Sequence, residues 1–382
     1  MKSVLDDAVD VIGWRESSKP LRIKYGADPS RPDLHLGHYV VLQKLKILQE
    51  AGHEVVFVIG DFTACIGDPS GRNETRPPLT KDEVKSNSIT YQEQVFQILN
   101  PDKTKIAYNS EWLARLTSEE VVRLSAQYTV ARLLERDDFE KRYRSQTPIY
   151  LHEFLYPLMQ GYDSVAIKAD VEVGGTDQKF NLLVGRELQK AYGQEPQAVL
   201  TYPLLEGTDG QQKMSKSYGN SIGLNEAPRD MFGKVMGISD ELMYGYYKKL
   251  FNQADGELRA LGLGPRDLKV RLAHSVVTIF HGSKIANQAV EEFERIFKKG
   301  GAPNEVPVIS LSSASVDLIK LMKEQKIVSS TSEARRLLQG QALSLNGRKI
   351  SQANVELDFS KNSSFVLRVG KKRFYRLICE KE

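Results

Sequence analysis

Residues 21–60 read LRIKYGADPSRPDLHLGHYVVLQKLKILQEAGHEVVFVIG, and the fold class turns on this stretch. Leu21 to Tyr25 alternates apolar and polar residues over the length of a short strand, and Glu54 to Gly60 is dense in β-branched residues. Between them Val41, Leu45 and Leu48 recur at helical spacing, and Gly52 stands where a helix C-cap is expected. This is one strand, helix, strand unit. Further along, Val171 to Val173 before a Gly-Gly pair and Ala198 to Tyr202 (AVLTY) repeat the buried-strand signal. The alternation of strands and helices predicts an α/β domain with a largely parallel sheet.

The intervening span from about Lys81 to Gln146 is different in character. It carries long charged and apolar stretches of helical spacing and few strand signals, which predicts an inserted helical subdomain. After Ile222, the segments PRDMFGKVM, DELMYGYYKKLF, PRDLKVRLAHSVVTIFHG and KIANQAVEEFERIF are helical in pattern with Gly and Pro between them. GGAPNEVPVISLSSAS, from Gly300, reads as a linker to a last, small domain.

The 382 residues are enough for two or three domains, and the 41% hydrophobic and 27% charged content is that of a globular chain. A net charge of +4 hides an uneven distribution. Residues 316–382 hold 14 Lys and Arg against 7 Asp and Glu, while residues 1–315 hold 39 against 42. A basic module on a slightly acidic body points to nucleic acid as a partner of the C-terminal end. The two cysteines, Cys65 and Cys379, are too few and too far apart for a disulfide framework or a cysteine zinc site. The N-terminus lacks a basic start and an apolar core, and no apolar run approaches a membrane span, so a soluble cytoplasmic protein is expected.

No dinucleotide fingerprint and no complete phosphate loop are present; Gly67-Asp68-Pro69-Ser70-Gly71-Arg72 lacks the closing Lys-Ser/Thr pair. His35-Leu36-Gly37-His38 instead opens the first helix. A glycine there lets a flat adenine approach the backbone, and the imidazoles and helix N-terminus offer donors to phosphate and ribose oxygens. Lys213-Met214-Ser215-Lys216-Ser217 lies in a loop context between Gly210 and Gly219. Two lysines three apart on a mobile loop form a cationic clamp suited to a departing pyrophosphate.

HLGH followed about 180 residues later by KMSKS resembles the paired motifs of class I aminoacyl-tRNA synthetases, and the chain as a whole is similar to the bacterial tyrosyl-tRNA synthetases. Four further ordered stretches carry the likeness: Gly26-Ala27-Asp28-Pro29-Ser30, Ile66 to Gly71, Tyr156-x3-Gln160-x2-Asp163, and Gly174-Gly175-Thr176-Asp177-Gln178. So does an S4-like tail around TSEARRLLQGQALSLNGRKI, from Thr331 to Ile350. The resemblance implies a Rossmann-like catalytic domain over 1–222, its helical insertion (81–146) forming a homodimer interface. It also implies a helical anticodon-binding domain over 223–302 and a small α+β S4-like RNA-binding domain over 316–382.

It further implies ATP, L-tyrosine and tRNA(Tyr) as substrates, with Mg2+ arriving on ATP and no dedicated metal site. Asp68, Tyr156 and Gln160 match positions that hold the substrate ammonium. Gln178 matches the amide that orients the carboxylate, and Asp163 the acceptor for the phenol. His35, Ser30, Lys213 and Lys216, with His38, match the catalytic set around the phosphates and ribose. Gly26, Asp28, Gly37, Asp177 and Ser217, joined by Arg72 and Arg76, match the ATP site. Arg335, Arg336, Arg348 and Lys349 are the RNA contacts to expect. None of these groups need transfer a proton, because a carboxylate is already a nucleophile and pyrophosphate already a good leaving group, so positioning and charge stabilisation suffice.

Independently of the likeness, Tyr156, Gln160 and Asp163 fall at i, i+4 and i+7, on one face of a helix. Gln and Asp on a core stripe are costly without partners, which favours a pocket. With Asp163 accepting the substrate phenol, as the resemblance implies, the site rejects the analogue lacking that hydroxyl, so no editing domain is expected. The chain departs from its relatives at two places. Lys24 stands where many have a tyrosine as second phenol partner, with Tyr25 beside the glycine, and Val41 stands where a hydroxyl often meets the ribose. Neither contact is carried over. His53, His274 and His281 read as surface or core residues, Trp14 and Trp112 as packing, and Cys65 as a neighbour of the pocket without an activated thiol. A tryptophan-specific enzyme and an RNA-binding protein of synthetase shape are the two rival readings.

Overall fold

A computed structural model describes residues 2–68, 79–297, 306–311, 313, 315–350, 355–359, 364–370 and 373–379. The chain divides into two compact units, Met1–Val276 and Val277–Glu382. The first is built on six strands: β1 (Asp10–Ile12), β2 (Arg22–Ala27), β3 (Glu54–Ile59), β4 (Thr104–Tyr108), β5 (Val171–Gly175) and β6 (Ala198–Tyr202). Their order is β1-β6-β5-β2-β3-β4, and every neighbouring pair is parallel except β1 with β6. β6 is buried throughout and β3 everywhere but Glu54, which explains their unbroken apolar runs: helices cover both faces of a parallel sheet.

The helix Leu36–Glu50 joins β2 to β3 and buries Val41, Leu45 and Leu48 as its spacing predicts. It ends at Ala51, and Gly52 follows with φ +96°, a backbone that favours glycine. The helix Leu151–Ile167 precedes β5, and Lys179–Ala191 connects β5 to β6. Because the crossovers leave β2 and β5 in opposite directions, a crevice opens beyond the ends of these two strands, at Ala27 and Gly175.

Two strands were not legible. β1 has only three residues, and β4 lies inside the span 81–146 read as helical, where Thr104–Tyr108 pairs with β3 as the sheet's edge. The rest of that span is helical, with Lys81–Val95, Ser118–Ser125 and Asp137–Arg144 as its longest pieces. The helices Pro228–Met236, Asp240–Phe251 and Asp255–Ala260 follow in the first unit, which ends at Val276 within the helix Pro265–His281. Tyr246 ties them to the loop after β6 by donating to the Glu206 carbonyl at 2.8 Å, and Lys249 pairs with the Glu206 carboxylate at 2.6 Å. Among the described residues, no helix is long and apolar enough to cross a membrane.

The second unit includes the helix Ser283–Phe297 and an α+β module. Its strands are β7 (Val308–Leu311), β8 (Ser315–Asp317), β9 (Leu343–Leu345), β10 (Arg348–Lys349), β11 (Glu356–Asp358), β12 (Ser364–Val369) and β13 (Arg373–Cys379). Five form a sheet in the order β10-β9-β12-β13-β7, and β11 pairs with β8. The helices Leu318–Glu324 and Thr331–Gln339 bury Leu318, Met322, Ala334 and Leu338 against Leu343, Leu367 and Leu377. The stretch expected to be a linker therefore contributes structure: β7 runs parallel to β13, and the last residue of the stretch, Ser315, opens β8, which pairs with β11. Its Pro, Gly and Ser content masked a very short strand.

Candidate active site

His35 is the N-cap of the helix Leu36–Glu50, with its Nδ1 accepting the Gly37 backbone N–H at 3.1 Å. His38 reaches back and its Nδ1 accepts the His35 backbone N–H at 3.2 Å. This reciprocal cap uses two backbone donors that a helix start leaves unsatisfied. With both Nδ1 atoms acting as acceptors, the ring proton of each neutral imidazole sits on Nε2. Burial, followed by the lysines 216 and 213 nearby, pushes His38 down to about 4; burial and the neighbouring His38 hold His35 well below its usual range. Both rings are therefore neutral Nε2–H donors at neutral pH. A Cβ on residue 37 would come within 2.9 Å of the His35 ring, so glycine is needed for the cap itself, before any ligand is considered.

The KMSKS loop closes over the same helix start. Met214 is its buried anchor, with its N–H donating to the Leu205 carbonyl at 2.7 Å. Asn220 accepts the Ser215 N–H at 2.8 Å and donates to Asp209 at 2.9 Å, fixing the loop's far side. Past the loop, Leu36 donates to the Ile222 carbonyl at 2.9 Å and Leu224 to the Leu34 carbonyl at 3.0 Å, so the two motifs share one short bridge. Lys213 Nζ pairs with Asp177 at 2.5 Å and Lys216 Nζ with Asp33 at 2.7 Å. The clamp lysines are thus lodged on carboxylates at the rim of the crevice.

Tyr156, Gln160 and Asp163 share one face of the helix Leu151–Ile167, as their spacing requires, and all three line a cavity of about 260 Å3 at the ends of β2 and β5. The same cavity is lined by Gly26, Asp28, Ser30, His35, Gly37, His38, Asp68, Asp177, Gln178, Lys213, Lys216 and Ser217. Tyr156 donates to Asp28 Oδ2 at 2.9 Å, and Thr63 donates to Asp28 Oδ1 at 2.7 Å. Asp28, grouped with the ATP residues from its motif, therefore also braces the helix that carries Tyr156, Gln160 and Asp163. Burial, then Asp28 and Asp68, hold the Tyr156 phenol well above its usual range, so it stays a donor.

Asp68 is the centre of a second network. Gln178 Nε2 donates to it at 3.1 Å, and Arg136, buried over the Phe139 ring, donates at 3.3 Å. Asn181, one turn after Gln178, donates to both Gln178 Oε1 (3.0 Å) and Gln160 Oε1 (2.8 Å). Both amides are thereby oriented before a ligand arrives, with carbonyl oxygens engaged by one side chain.

Asp163 is 3% exposed. Trp112 Nε1 donates to its Oδ1 at 2.8 Å and Asn109 Nδ2 to its Oδ2 at 3.3 Å. Burial raises its carboxyl to about 7, against the opposing pull of Lys24 and these two donors. Trp112, read from sequence as packing, does pack against the cluster around Leu113 and Leu158, yet its N–H is a polar contact in the site. Trp112, Asn109, Arg136, Asn181 and Asp33 were all missed. Only Asn181, at i+3 from Gln178, had a local signal.

Lys24 does not enter the cavity. It is fully buried in an ion pair with Glu172 at 2.8 Å, while Tyr25 lines the cavity and packs its ring on Phe57 at 5.5 Å. Arg72 and Arg76 lie outside the described residues. Arg335 and Arg336 on the helix Thr331–Gln339, and Arg348 and Lys349 on β10, are exposed and belong to the second unit. Among the described residues no three His, Cys, Asp or Glu side chains are grouped to hold a metal ion.

Residues 16–298 match the family model of class I tRNA synthetases (W and Y), and residues 297–377 match that of the tyrosine–tRNA ligase SYY-like C-terminal domain. A tyrosine–tRNA ligase of Bdellovibrio bacteriovorus is 52% identical over 96% of this chain and 92% of its own. One from Haemophilus influenzae is 52% identical over 99% and 94%. In fold, the chain is similar to a mitochondrial tyrosyl-tRNA synthetase of Aspergillus nidulans, with a TM-score of 0.64 at 22% identity, covering 78% of this chain and 92% of that one. The tyrosyl-tRNA synthetase of Archaeoglobus fulgidus, solved with L-tyrosine, gives 0.61 at 23% identity over 75% and 97%. Sequence, fold and the convergence of HLGH with KMSKS on one cavity agree: the chain belongs to the tyrosine–tRNA ligase family of class I tRNA synthetases.

Proposed function

We infer that the protein ligates L-tyrosine to tRNA(Tyr) at the expense of ATP. The observation that carries this reading is that two neutral imidazole donors, two loop lysines and the face Tyr156, Gln160, Asp163 line one cavity at the sheet's switch point. In the first step a carboxylate oxygen of tyrosine attacks the α-phosphorus of ATP; the bond from that phosphorus to the bridging oxygen breaks and pyrophosphate leaves. In the second, a hydroxyl of the terminal tRNA ribose attacks the tyrosyl carbonyl, loses its proton and releases AMP.

Asp68, Tyr156 and Gln160 hold the ammonium, Gln178 aims the carboxylate, and Asp163 accepts the phenol O–H. Asp177 and His38 take the ribose. His35, Ser30, Lys213 and Lys216 stabilise charge as it grows on the phosphates, with Ser217 on the same loop. Entry of ATP parts Lys213 from Asp177 and frees both for the ligand. Magnesium comes as the counter-ion of ATP.

The exposed Val122, Val130 and Tyr143 of the insertion, 67%, 58% and 66% exposed, support a homodimer formed there. Arg335, Arg336, Arg348 and Lys349 on the S4-like module would grip tRNA phosphates, and the helices over 223–302 the anticodon end. The setting is the cytoplasm. Incubation of the full chain with ATP, labelled tyrosine and total bacterial tRNA tests the reading. Acid-precipitable tyrosine formed with one AMP per tyrosine is expected; charging with tryptophan in its place, or none, would overturn it.

A further inference from the structure

Lys24 raises a physical question: why a lysine should be buried completely beneath a substrate pocket. It faces Glu172 in register, the two being paired residues on the parallel strands β2 and β5. Its Nζ lies 2.8 Å from Glu172 Oε1 and donates to the Gln160 carbonyl at 2.9 Å and to Ser164 Oγ at 2.8 Å. These last two residues flank Asp163 on its own helix, so the ammonium is seated against the turn that carries the carboxylate. Ser164 in turn donates to Glu172 Oε2 at 3.0 Å, and Gln197 donates to the same oxygen.

A buried ion pair contributes little net stability by itself, since desolvation offsets the attraction. We propose that Lys24 is a positioning residue for the phenol-recognising carboxylate: with Glu172 as its own anchor, it favours the charged form of Asp163 and keeps that side chain aimed into the cavity, in place of a second phenol partner. This rests on the tyrosine-binding reading of the cavity given above.

The charges around Asp163 support a local origin for the effect. Lys24 on β2 favours the carboxylate, and Glu172 on β5 opposes it. Trp112 and Asn109, beyond β4, supply neutral donors, and Asn109 also donates to Thr63 of the helix Thr63–Ile66. On the other elements packed against this helix, Glu111 of the helix Ser110–Leu113 is exposed, and the charged groups of the helices Lys179–Ala191 and Ser118–Ser125 are engaged elsewhere. Lys179 pairs with Asp10, Arg186 donates to the Pro196 and Gln197 carbonyls, and Lys190 pairs with Glu187. Arg123 pairs with Glu119, and Glu120 caps its helix at Thr117. Asp28 and Asp68 face Tyr156 across the cavity.

The test is the pH profile of kcat/KM for tyrosine in tyrosine-dependent pyrophosphate exchange, which reports groups of the free enzyme. Glu172→Gln keeps the cation and the hydrogen-bonding shape, and moves the acid limb to lower pH. Lys24→Met/Glu172→Gln removes both charges without stranding either, and moves the limb to higher pH by ~1 unit, a roughly tenfold loss of kcat/KM on the acid side. In both, kcat at saturating tyrosine and the KM for ATP stay near wild type. Thermal melts establish folding. If the double variant does not fold, Glu172→Gln alone decides; limbs superposable with wild type, or a chain that fails to fold without the Glu172 charge, would make the pair purely structural and overturn the proposal. Absence of tyrosine-dependent exchange in the wild type at every pH would instead overturn the reading of the cavity.

Discussion

Replacing Trp112 by phenylalanine deletes one atom group of consequence, the indole N–H that donates to Asp163 at 2.8 Å, and keeps most of the ring's packing. A hydrogen bond to a charged acceptor contributes ~1.5–3 kcal/mol, and 1.36 kcal/mol corresponds to about one pH unit, so the Asp163 carboxyl should rise by ~1–2 units. From its starting value of about 7, that carries it to roughly 8–9. At pH 7.5 the ionised fraction then falls from roughly three-quarters to between about one-quarter and a few per cent. If ionised Asp163 accepts the phenol, the KM for tyrosine rises ~3–25-fold at that pH and returns toward wild type near pH 9.5. Initial rates of tyrosine-dependent pyrophosphate exchange at both pH values give the answer. An unchanged KM at pH 7.5, or the same increase at both pH values, would refute the reasoning, the latter because lost packing does not titrate.

The remaining expectations concern the loop, the fold and the RNA. Lys213→Met removes a donor to charge that develops on the departing phosphates, and should lower kcat for exchange ~100–1000-fold while leaving the KM for tyrosine nearly unchanged. Arg142 and Glu153 are 3% and 2% exposed in a bidentate pair, so Arg142→Met should cost ~3–5 kcal/mol in urea unfolding, and Arg142→Met/Glu153→Leu should regain much of it. Burial pushes the Glu153 carboxyl up, but hydrogen bonds from Arg142 and the Tyr150 N–H outweigh it and hold the group below the usual carboxylate range. Its contribution is therefore present above the unfolded-state value and lost as pH falls through the lower folded one, and the gap between wild type and the double variant should narrow there. Alanine at Arg335, Arg336, Arg348 or Lys349 should weaken tRNA binding and shrink its salt slope by roughly one per lost phosphate contact, with pyrophosphate exchange untouched.

What could be read from the sequence is what is local in it. HLGH works as a unit because a helix cap involves residues three apart, and KMSKS because a loop clamp is contiguous. Tyr156, Gln160 and Asp163 declare themselves through helical spacing. Trp112 and Asn109 reach Asp163 across 51 and 54 positions, and Arg136 reaches Asp68 across 68. Nothing periodic links such pairs. Lys24 is the sharpest example: its departure from the relatives was visible, yet only the pairing of β2 with β5 shows that it is buried against Glu172 rather than lining the cavity itself. β1 and β7 were lost for a different reason. Three or four residues at a sheet edge carry no pattern distinguishable from a loop, and their strand geometry is imposed by the neighbour they pair with.

The central claim is that this cavity activates tyrosine and recognises it by the phenol at Asp163. Amino-acid-dependent exchange of labelled pyrophosphate into ATP, run with tyrosine, phenylalanine and tryptophan on the wild type and on Asp163→Asn, tests it most directly. The account predicts strong wild-type exchange with tyrosine alone, and for Asp163→Asn a loss of kcat/KM for tyrosine that erodes its preference over phenylalanine. Wild-type exchange driven by tryptophan, or an Asp163→Asn enzyme that discriminates as well as the wild type, would contradict it.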